Sequence, residues 1–329
     1  MKTVKASARA VPGYAAVISA PCRIDLRRVE FRAPVAGEVR VQIEGCGVCA
    51  SNLEMWLGKP WFNYPVEPGA PGHEAWGRIE AIGEGVTDLA IGDRVAMLSS
   101  HAFAEYDFAR STEVLRLPAA LDGEPFPAEP LGCAVNIARR ANIRRGETVA
   151  IVGVGFLGTL LTQLAANAGA RVFALSRRSS SLKLAQEFGA TAMIEIHDKQ
   201  QAVQSVTELT QGRGCECVIE AAGKQESLDL ASELTSERGR LVIAGYHQDG
   251  PRQVNMQLWN WRGLDVINAH ERDPEVYVAA MREAIVAVQA GAMNPRPLYT
   301  HTFKLAELPQ AFKAMEHSPE GFVKALITL

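Results

Sequence analysis

The sequence predicts an α/β protein with two domains: a β-rich outer domain built around a small barrel, and a doubly wound parallel sheet. The chain has 329 residues, a length that favours two domains. Residues 1 to about 130 combine short apolar runs with closely spaced Gly and Pro turn signals. From about residue 131 the pattern changes to alternating strands and helices, which is typical of a parallel sheet.

The first part of the chain has the pattern of a compact, mostly β domain. Short β-type runs such as Val39–Ile43 and Arg78–Ile82 are followed closely by turn signals, for example Gly83–Gly85 and Gly92–Asp93. Short strands separated by tight turns are typical of small barrels.

The second part alternates strands with helices of apolar spacing. Its predicted elements are strand Thr148–Val152, helix Leu157–Ala168, strand Arg171–Leu175, helix Ser180–Phe188, and strands Cys217–Ala221 and Arg240–Ala244. A long helix, Pro274–Ala290, and two strands, Tyr299–Phe303 and Val323–Thr328, follow. We expect these last strands to return to the outer domain, so that residues 1–130 and 269–329 form one domain and residues 131–268 the other.

Composition excludes several classes of function. The net charge of −3 and the absence of blocks of like charge argue against nucleic-acid or membrane-surface binding. Met1–Ala20 has no continuous apolar segment, and no apolar run reaches 18 residues, so we expect neither a signal peptide nor a membrane span. Six cysteines are too sparse for a disulfide framework, and we expect a cytoplasmic protein.

A glycine-rich turn predicts a dinucleotide site. Gly153, Gly155 and Gly158 form a G-x-G-x-x-G pattern that follows a predicted strand, and the residues from Phe156 and Leu157 onward open a helix. Glycines there let the backbone approach a pyrophosphate, whose charge lies at the helix N-terminus.

The end of the next strand indicates which dinucleotide is preferred. Enzymes that use NAD have an acid where Ser176 stands, to bond the adenosine ribose, whereas here Arg177 and Arg178 follow directly. Cations would attract a 2′-phosphate, so we predict NADP(H) over NAD(H); a solvated basic loop is the alternative. Ala222 and Gly245, which follow the next two strands, are further candidates for cofactor contact.

Cys49 and His73 predict a catalytic metal. Removing hydride from an alcohol requires an alkoxide, and Zn²⁺ with an open fourth position lowers the pKa of the alcohol oxygen. In reverse, the ion polarises a carbonyl. Cys46/Cys49 and Cys215/Cys217 could together form a four-cysteine site, but the second pair lies in an apolar run that predicts a buried strand.

These motifs together resemble the zinc-dependent medium-chain dehydrogenase/reductase family. The resemblance extends through essentially the whole chain and implies a GroES-like catalytic domain and a Rossmann nucleotide-binding domain. The matching segments are Gly47–Asn52, Gly72–Glu74, Gly92–Val95, Ala102–Tyr106, Glu129–Leu131 and the glycine-rich turn.

The resemblance assigns zinc ligands. Cys49 matches the first ligand, His73 the second, and Glu74 an acidic neighbour that coordinates zinc in some members. The third ligand has two candidates: Glu129 stands 24 residues before Gly153, and Cys133 stands 20 residues before it. In alcohol- and polyol-type members this ligand lies about two dozen residues before the turn, so the resemblance favours Glu129.

The resemblance also assigns proton transfer and metal stoichiometry. Ser51 matches the hydroxyl that passes the substrate proton towards solvent, and Asn52 replaces the usual Asp. Glu54 stands where many members have a relay His, and could relay a proton or be a solvated helix residue. The interval between Val95 and Phe103 lacks the four cysteines of a structural zinc lobe, so one catalytic zinc is expected.

The sequence leaves the substrate open. Aromatic residues after the first ligand could line a pocket or pack within the domain; they are Trp56, Trp61, Phe62 and Tyr64. The favoured function is an NADP(H)-dependent alcohol or polyol dehydrogenase, or a carbonyl reductase in reverse. The alternatives are a zinc-free quinone or enoyl-type reductase of the same fold and a non-catalytic NADP-binding protein. The family resemblance implies a homodimer or homotetramer.

Overall fold

The computed structural model describes residues 9–329. The interpretation of the N-terminal segment as lacking a leader falls partly on residues 1–8, which lie outside the described residues. None of the helices formed by residues 9–329 combines the length and apolar character needed to span a bilayer.

The described residues form strands and helices that we number in chain order. They are β1 (Val11–Ala20), β2 (Arg23–Phe31), β3 (Glu38–Val48), α1 (Leu53–Trp56), β4 (Glu74–Ile82), β5 (Arg94–Leu98), β6 (Tyr106–Arg110), β7 (Val114–Arg116), α2 (Ala128–Ala141), β8 (Thr148–Val152), α3 (Phe156–Asn167), β9 (Arg171–Ser176), α4 (Ser179–Glu187), β10 (Ala192–Glu195), α5 (Lys199–Leu209), β11 (Cys215–Glu220), α6 (Gln225–Leu234), β12 (Thr235–Ile243), α7 (Met256–Arg262), β13 (Asp265–Asn268), α8 (Pro274–Gln289), β14 (Tyr299–Lys304), α9 (Leu308–His317) and β15 (Lys324–Thr328).

The chain divides into two compact units. The first takes in the described residues up to Gly132 together with Asp273–Ile285 and Tyr299–Leu329. The second consists of Cys133–Arg272 and Val286–Leu298.

The first unit is built on a sheet of order β14-β15-β3-β4-β5-β7, with β6 paired to β3 and a separate β1–β2 hairpin. Strand β15 pairs antiparallel with β3, so the last strand does return to the outer unit, as predicted. Apolar side chains of the sheet pack against α9, whose Phe312 stacks on Trp56 at 5.3 Å. Burying this apolar surface is what holds the sheet and the late helix together.

The second unit is a six-stranded sheet of order β10-β9-β8-β11-β12-β13, parallel throughout. The order reverses direction between β8 and β11, which makes their carboxyl ends the topological switch point of the sheet. Buried strands on one side pack against α5 and α6 to form the core. Cys215 and Cys217 are buried in β11, and burial raises the pKa of each thiol to about 12, so both are core residues as predicted.

Candidate metal centre and dinucleotide site

Two neighbouring strands of the first unit bring the predicted metal ligands together. Cys49 directly follows β3 and His73 directly precedes β4, and these antiparallel strands pair Gly47 with Glu74. The end of one strand therefore lies beside the start of the other. Ligand atoms of Cys49, His73 and Glu74 all lie within 4.8 Å of one another. Thiolate, imidazole and carboxylate are the donors that zinc prefers, so these residues fit that ion.

The surroundings of His73 leave one ring nitrogen available to a metal. Its Nδ1 lies 2.9 Å from the carbonyl oxygen of Pro71, and because a carbonyl only accepts, Nδ1 carries the hydrogen. The Asn52 amide donates to the same carbonyl at 3.3 Å. In the neutral ring Nε2 then carries the lone pair that would bind a metal. The family usually has an Asp at the position of Asn52. Here the carbonyl of Pro71 orients the imidazole of His73.

The site strongly favours positive charge. Burial acts to lower the pKa of His73, but the hydrogen bond and negative charge of Cys49 act to raise it. The carboxylates of Glu129 and Glu74 add to this effect, and the pKa of His73 reaches about 10. Anionic groups that draw a proton onto a buried imidazole would also attract a divalent cation.

Glu74 belongs to a buried ion pair that the sequence did not reveal. Its carboxylate is fully buried, and the Nζ of Lys324 in β15 lies 2.6 Å from it. Gly47 lies between the two strands, and a Cβ there would be 1.8 Å from the Glu74 carboxylate. Burial acts to lower the pKa of Lys324, yet Glu74, Cys49 and Glu129 raise it, so the lysine is charged. The only local signal was a lysine within the apolar run of the last strand.

Both candidates for the third ligand lie on one helix. Glu129 is in the first turn of α2 and Cys133 one turn later, as the spacing required. Glu129 acts electrostatically on both His73 and Lys324. Cys46 is buried and donates its thiol hydrogen to the carbonyl of Gly47. The ligand role of Glu129 remains a prediction.

The turn after Cys49 carries the predicted proton-transfer residues. Ser51 is half-buried in the turn Ala50–Asn52, and Glu54 is buried in α1. The Glu54 carboxylate lies 3.5 Å from Lys59 Nζ. The interpretation of Glu54 as a solvated helix residue was therefore wrong, because packing of α1 removes it from water; its relay role remains a prediction.

The aromatic residues that follow Cys49 differ in how deeply they are buried. Trp56 is buried in the core of the first unit, so packing is the correct interpretation for it. The Tyr64 hydroxyl donates to the carbonyl of Met55. Trp61 is 53% exposed and lies against Phe62.

The glycine turn in the second unit has the steric demands of a phosphate-binding loop. Gly153 follows β8 with φ +97°, which favours glycine, and a Cβ there would be 2.9 Å from the Cβ of Ala222. A Cβ on Gly158 would be 2.1 Å from the Gly153 carbonyl, so α3 approaches its strand closely. Gly155 caps α3, with Phe156 and Leu157 at its start, and a helix N-terminus of this kind favours a bound anion.

The two arginines in the loop after β9 differ in exposure and in position. Ser176 ends the strand and its hydroxyl accepts from the Arg178 N–H at 3.1 Å. Arg177 is exposed. The Arg178 guanidinium lies 3.9 Å from the Cβ position of Gly155, and burial, followed by the charge of Arg177, lowers the pKa of Arg178. One cation therefore overlies the glycine turn while the other faces solvent.

The chain is similar to two domain families of known enzymes. Residues 35–119 match the alcohol dehydrogenase GroES-like domain, and residues 157–285 match the zinc-binding dehydrogenase domain. A sorbitol dehydrogenase from Halalkalibacterium halodurans is 27% identical over 328 residues, which cover 90% of this chain and 92% of that protein.

Solved structures share the fold over nearly the whole chain. A protein from Sinorhizobium meliloti assigned as a zinc-binding dehydrogenase and bound to NADP has a TM-score of 0.83 and 26% identity, covering 97% of this chain and 100% of its own. An Escherichia coli protein named as a short chain alcohol dehydrogenase and bound to NADH has a TM-score of 0.85 and 23% identity, covering 97% and 99%. At that identity the second protein shows the common fold alone.

Proposed function

The chain belongs to the zinc-type medium-chain dehydrogenase/reductase family, and we propose that it transfers a hydride between NADP(H) and an alcohol or polyol, or the matching carbonyl compound. The observation that carries this proposal is the convergence of Cys49, His73 and Glu74 within 4.8 Å in a chain that also has the glycine turn. Each feature alone is common, whereas together they match the needs of alcohol oxidation.

We propose that Cys49, His73 and Glu129 hold one catalytic zinc, with Glu74 and Cys133 as alternates. Glu74 is already bound to Lys324, which favours Glu129 for the third position. The charges also balance, because one thiolate and two carboxylates carry three negative charges, and Zn²⁺ with the Lys324 ammonium supplies three positive ones. A buried site without net charge avoids a large desolvation cost.

In our proposal other groups of the first unit orient a zinc ligand and transfer the substrate proton. Zinc, when bound, supplies a Lewis acid that lowers the pKa of the substrate hydroxyl. The Pro71 carbonyl holds the His73 ring with Nε2 free. In our proposal Ser51 would take the hydroxyl proton and Glu54, next to Lys59, would pass it on. The nicotinamide, when bound, would supply the hydride acceptor.

We infer a preference for NADP(H) from the loop after β9. No carboxylate stands at Ser176, and the exposed guanidinium of Arg177 is available for a 2′-phosphate. Arg178 overlies the glycine turn, where it would face the pyrophosphate of either dinucleotide. Charge-assisted hydrogen bonds are about twice as strong as neutral ones, which favours the phosphorylated cofactor.

The cofactor assignment is tested by steady-state kinetics with both dinucleotides. We expect a higher kcat/KM with NADP⁺, and we expect Arg177→Ala to raise KM for NADP⁺ about tenfold or more while leaving KM for NAD⁺ nearly unchanged. The exposed Arg238→Ala, in β12 of the same unit, serves as the matched control. A higher kcat/KM with NAD⁺ would show that the assignment is wrong.

The reaction is tested by an oxidation screen of polyols, sugars and aliphatic and aromatic alcohols, with absorbance of the reduced cofactor as the readout. Elemental analysis and a chelator are applied to the same preparation. Zinc and turnover that is lost with the chelator support the proposal. Turnover that does not need zinc would favour the quinone or enoyl-type reductase, and zinc without turnover on the panel would favour a non-catalytic binding protein.

Domain division, assembly and location form the last part of the proposal. We propose that residues 1–130 and 269–329 form the catalytic domain and residues 131–268 the nucleotide-binding domain. The two compact units support this division except at Val286–Leu298, which belongs to the second unit. We propose a homodimer or homotetramer, supported by the exposed strand β13 at one end of the parallel sheet and by Trp261, which is 85% exposed. Six free cysteines support a cytoplasmic location.

A further inference from the structure

A buried carboxylate joins two loops at the switch point of the parallel sheet. Glu220 ends β11 and is fully buried. Its Oε1 accepts hydrogen bonds from the backbone N–H of Ala222 at 2.8 Å, from that of Gly223 at 2.7 Å and from the Ser227 hydroxyl at 2.6 Å. Its Oε2 lies 2.9 Å from Nε2 of His247, which belongs to the loop after β12. One side chain thus fixes both loops.

The partners of His247 define its protonation state. The Nε2 of His247 lies 2.9 Å from Oε2 of Glu220, an oxygen that can accept its hydrogen. Arg252 can only donate, and its Nε lies 2.7 Å from Nδ1 of the same ring, so Nδ1 must accept. The ring is therefore the neutral Nε2–H tautomer.

Arg252 connects the loop after β12 to the loop after β11. Its Nη2 donates to the carbonyl of Gly223 at 3.1 Å, and it forms an ion pair with Asp249. Asp249 also lies 3.2 Å from Lys224 Nζ, and the hydrogen bond from Arg252 lowers the pKa of Asp249 to about 2. The loops after β11 and β12 are therefore connected from Glu220 through His247 to Arg252, and the middle member of this connection is an imidazole that can gain a proton.

The two loops carry the backbone that surrounds the predicted cofactor. Ala222 lies directly against the glycine turn, since a Cβ on Gly153 would be 2.9 Å from its Cβ. A Cβ on Gly245 would be 2.2 Å from the Gly223 nitrogen, so the loops touch. In open α/β sheets ligands bind at the carboxyl ends of the strands beside the switch point, which is where these loops meet.

We propose that His247 is a positioning residue of the dinucleotide site, which in its neutral form holds the loops after β11 and β12 together and on protonation releases Arg252. This inference rests on the proposed function. Protonation converts Nδ1 from an acceptor into a donor, which then faces the guanidinium of Arg252. The loops loosen, and NADP(H) binds more weakly in acid.

Other charged groups around the ring do not reproduce this effect. Glu220 faces it from β11, Arg252 and Asp249 from its own loop, and Lys224 from the start of α6. His270, after β13, is the other titratable ring on these loops, and its Nε2 donates to the Gly245 carbonyl at 3.0 Å. That bond is kept in both the neutral and the protonated ring, so titration of His270 does not break it.

The test is a fluorescence titration of the purified enzyme with NADPH between about pH 5.5 and 8.5, which needs no turnover. His247→Gln can donate to Glu220 and accept from Arg252 but does not titrate, whereas His247→Leu can do neither. We expect the leucine variant to bind NADPH about tenfold more weakly than the wild type at high pH, where the wild-type ring is neutral; this is the effect of losing a charge-assisted hydrogen bond. We expect the glutamine variant to match the wild type at high pH.

The Kd for NADPH at low pH distinguishes the proposal from a general loss of stability. The 2′-phosphate titrates near pH ~6 in every variant, so the ratio of wild-type to glutamine-variant Kd isolates the histidine. We expect this ratio to rise about fivefold or more in acid, and Arg252→Met to abolish the rise because no donor then opposes Nδ1.

Three outcomes would overturn the proposal. They are parallel pH profiles for the wild type and His247→Gln, tight NADPH binding by His247→Leu, and a fall in Tm of the variants with no change in Kd. Each of these leaves the proposed function intact. Failure of the wild type to bind NADPH or NADH at any pH would instead remove the proposed function, and this inference with it.

Discussion

Lys324 lies among apolar neighbours in β15 and forms its ion pair with Glu74, 250 residues earlier in the chain. The pair has two effects at the metal centre: it occupies the Glu74 carboxylate, and it offsets one negative charge close to Cys49. Both effects depend on a glycine at position 47, because the Glu74 carboxylate lies where a side chain would be. The charge at the metal centre therefore depends on one residue from each of three strands: Gly47 on β3, Glu74 on β4 and Lys324 on β15.

Lys324→Met should destabilise the protein strongly. The substitution leaves the Glu74 carboxylate buried without its partner, which typically costs about 3–5 kcal/mol of unfolding free energy. Denaturant unfolding measures this. Adding Glu74→Gln should recover much of the loss, and Lys304→Met, an exposed lysine on β14, should change stability by less than about 0.5 kcal/mol. Equal effects at both lysines would contradict the ion-pair account.

The same pair predicts how stability depends on pH at the alkaline end. The folded-state pKa of Lys324 is raised above the ordinary 10.5. Its contribution is therefore complete below 10.5 and is lost as pH rises through the raised value. Wild type and Lys324→Met should converge in unfolding free energy only above that range, so convergence near neutral pH would contradict this assignment.

Glu129 and Cys133 are separated by one helical turn, and metal content distinguishes them. Glu129→Ala should lose most of its zinc because one of three protein ligands is removed, whereas Cys133→Ala should retain it. Elemental analysis after dialysis is the measurement. The reverse result would assign the third ligand to Cys133, and retention of zinc by both variants would point to Glu74.

At the scale of the element, prediction succeeded where structure is local. Strand Thr148–Val152 is as predicted, and the strand expected at Arg171–Leu175 is Arg171–Ser176. Their signals lie within a few residues of the elements themselves. The β1–β2 hairpin was missed, since β2 is rich in exposed charged residues and depends on its pairing with β1. Glu220 was hidden within an apolar run, and nothing near it in sequence indicates His247.

Substitution of Gly158, in the first turn of α3, and of Gly155, which caps that helix, should have different effects. Gly158→Ala forces a Cβ to within 2.1 Å of the Gly153 carbonyl and should cost about 1–3 kcal/mol of stability together with cofactor affinity. Gly155→Ala meets nothing closer than 3.9 Å, so Tm should hold while NADPH binding weakens. Thermal unfolding and NADPH titration of both variants test this, and an equal loss of Tm would count against the packing explanation.

At the scale of the whole molecule, the two end strands of the parallel sheet make a matched pair for testing assembly. β13 and β10 lie at opposite ends, with Val266 39% exposed on one and Met193 38% exposed on the other. If β13 is the proposed interface, light scattering should give an oligomer for the wild type and for Met193→Lys. Val266→Lys should shift it towards monomer, because a charge would be buried. A monomeric wild type would refute the proposed assembly.

The overall architecture followed from the sequence because strand–helix alternation and the glycine turn are short-range patterns. The metal centre followed only in part. Cys49 and His73 are recognisable one by one, but Lys324 reaches Glu74 only through the pairing of β15 with β3, which no window of sequence contains. Long-range pairing is specified by the summed burial of many side chains, and this is why sequence patterns did not reveal it.

The pairing of β15 with β3 has a consequence for the order of events during synthesis. Glu74 emerges 250 residues before Lys324, which at about 5–20 residues per second is a delay of roughly 12–50 s. Throughout that interval the first unit lacks the strand that completes its sheet, whereas all the parallel strands of the second unit, from β8 to β13, are synthesised within it. On the ribosome the nucleotide-binding part can thus mature first, and the zinc pocket acquires its neutralising lysine only after the strands of the second unit have been synthesised.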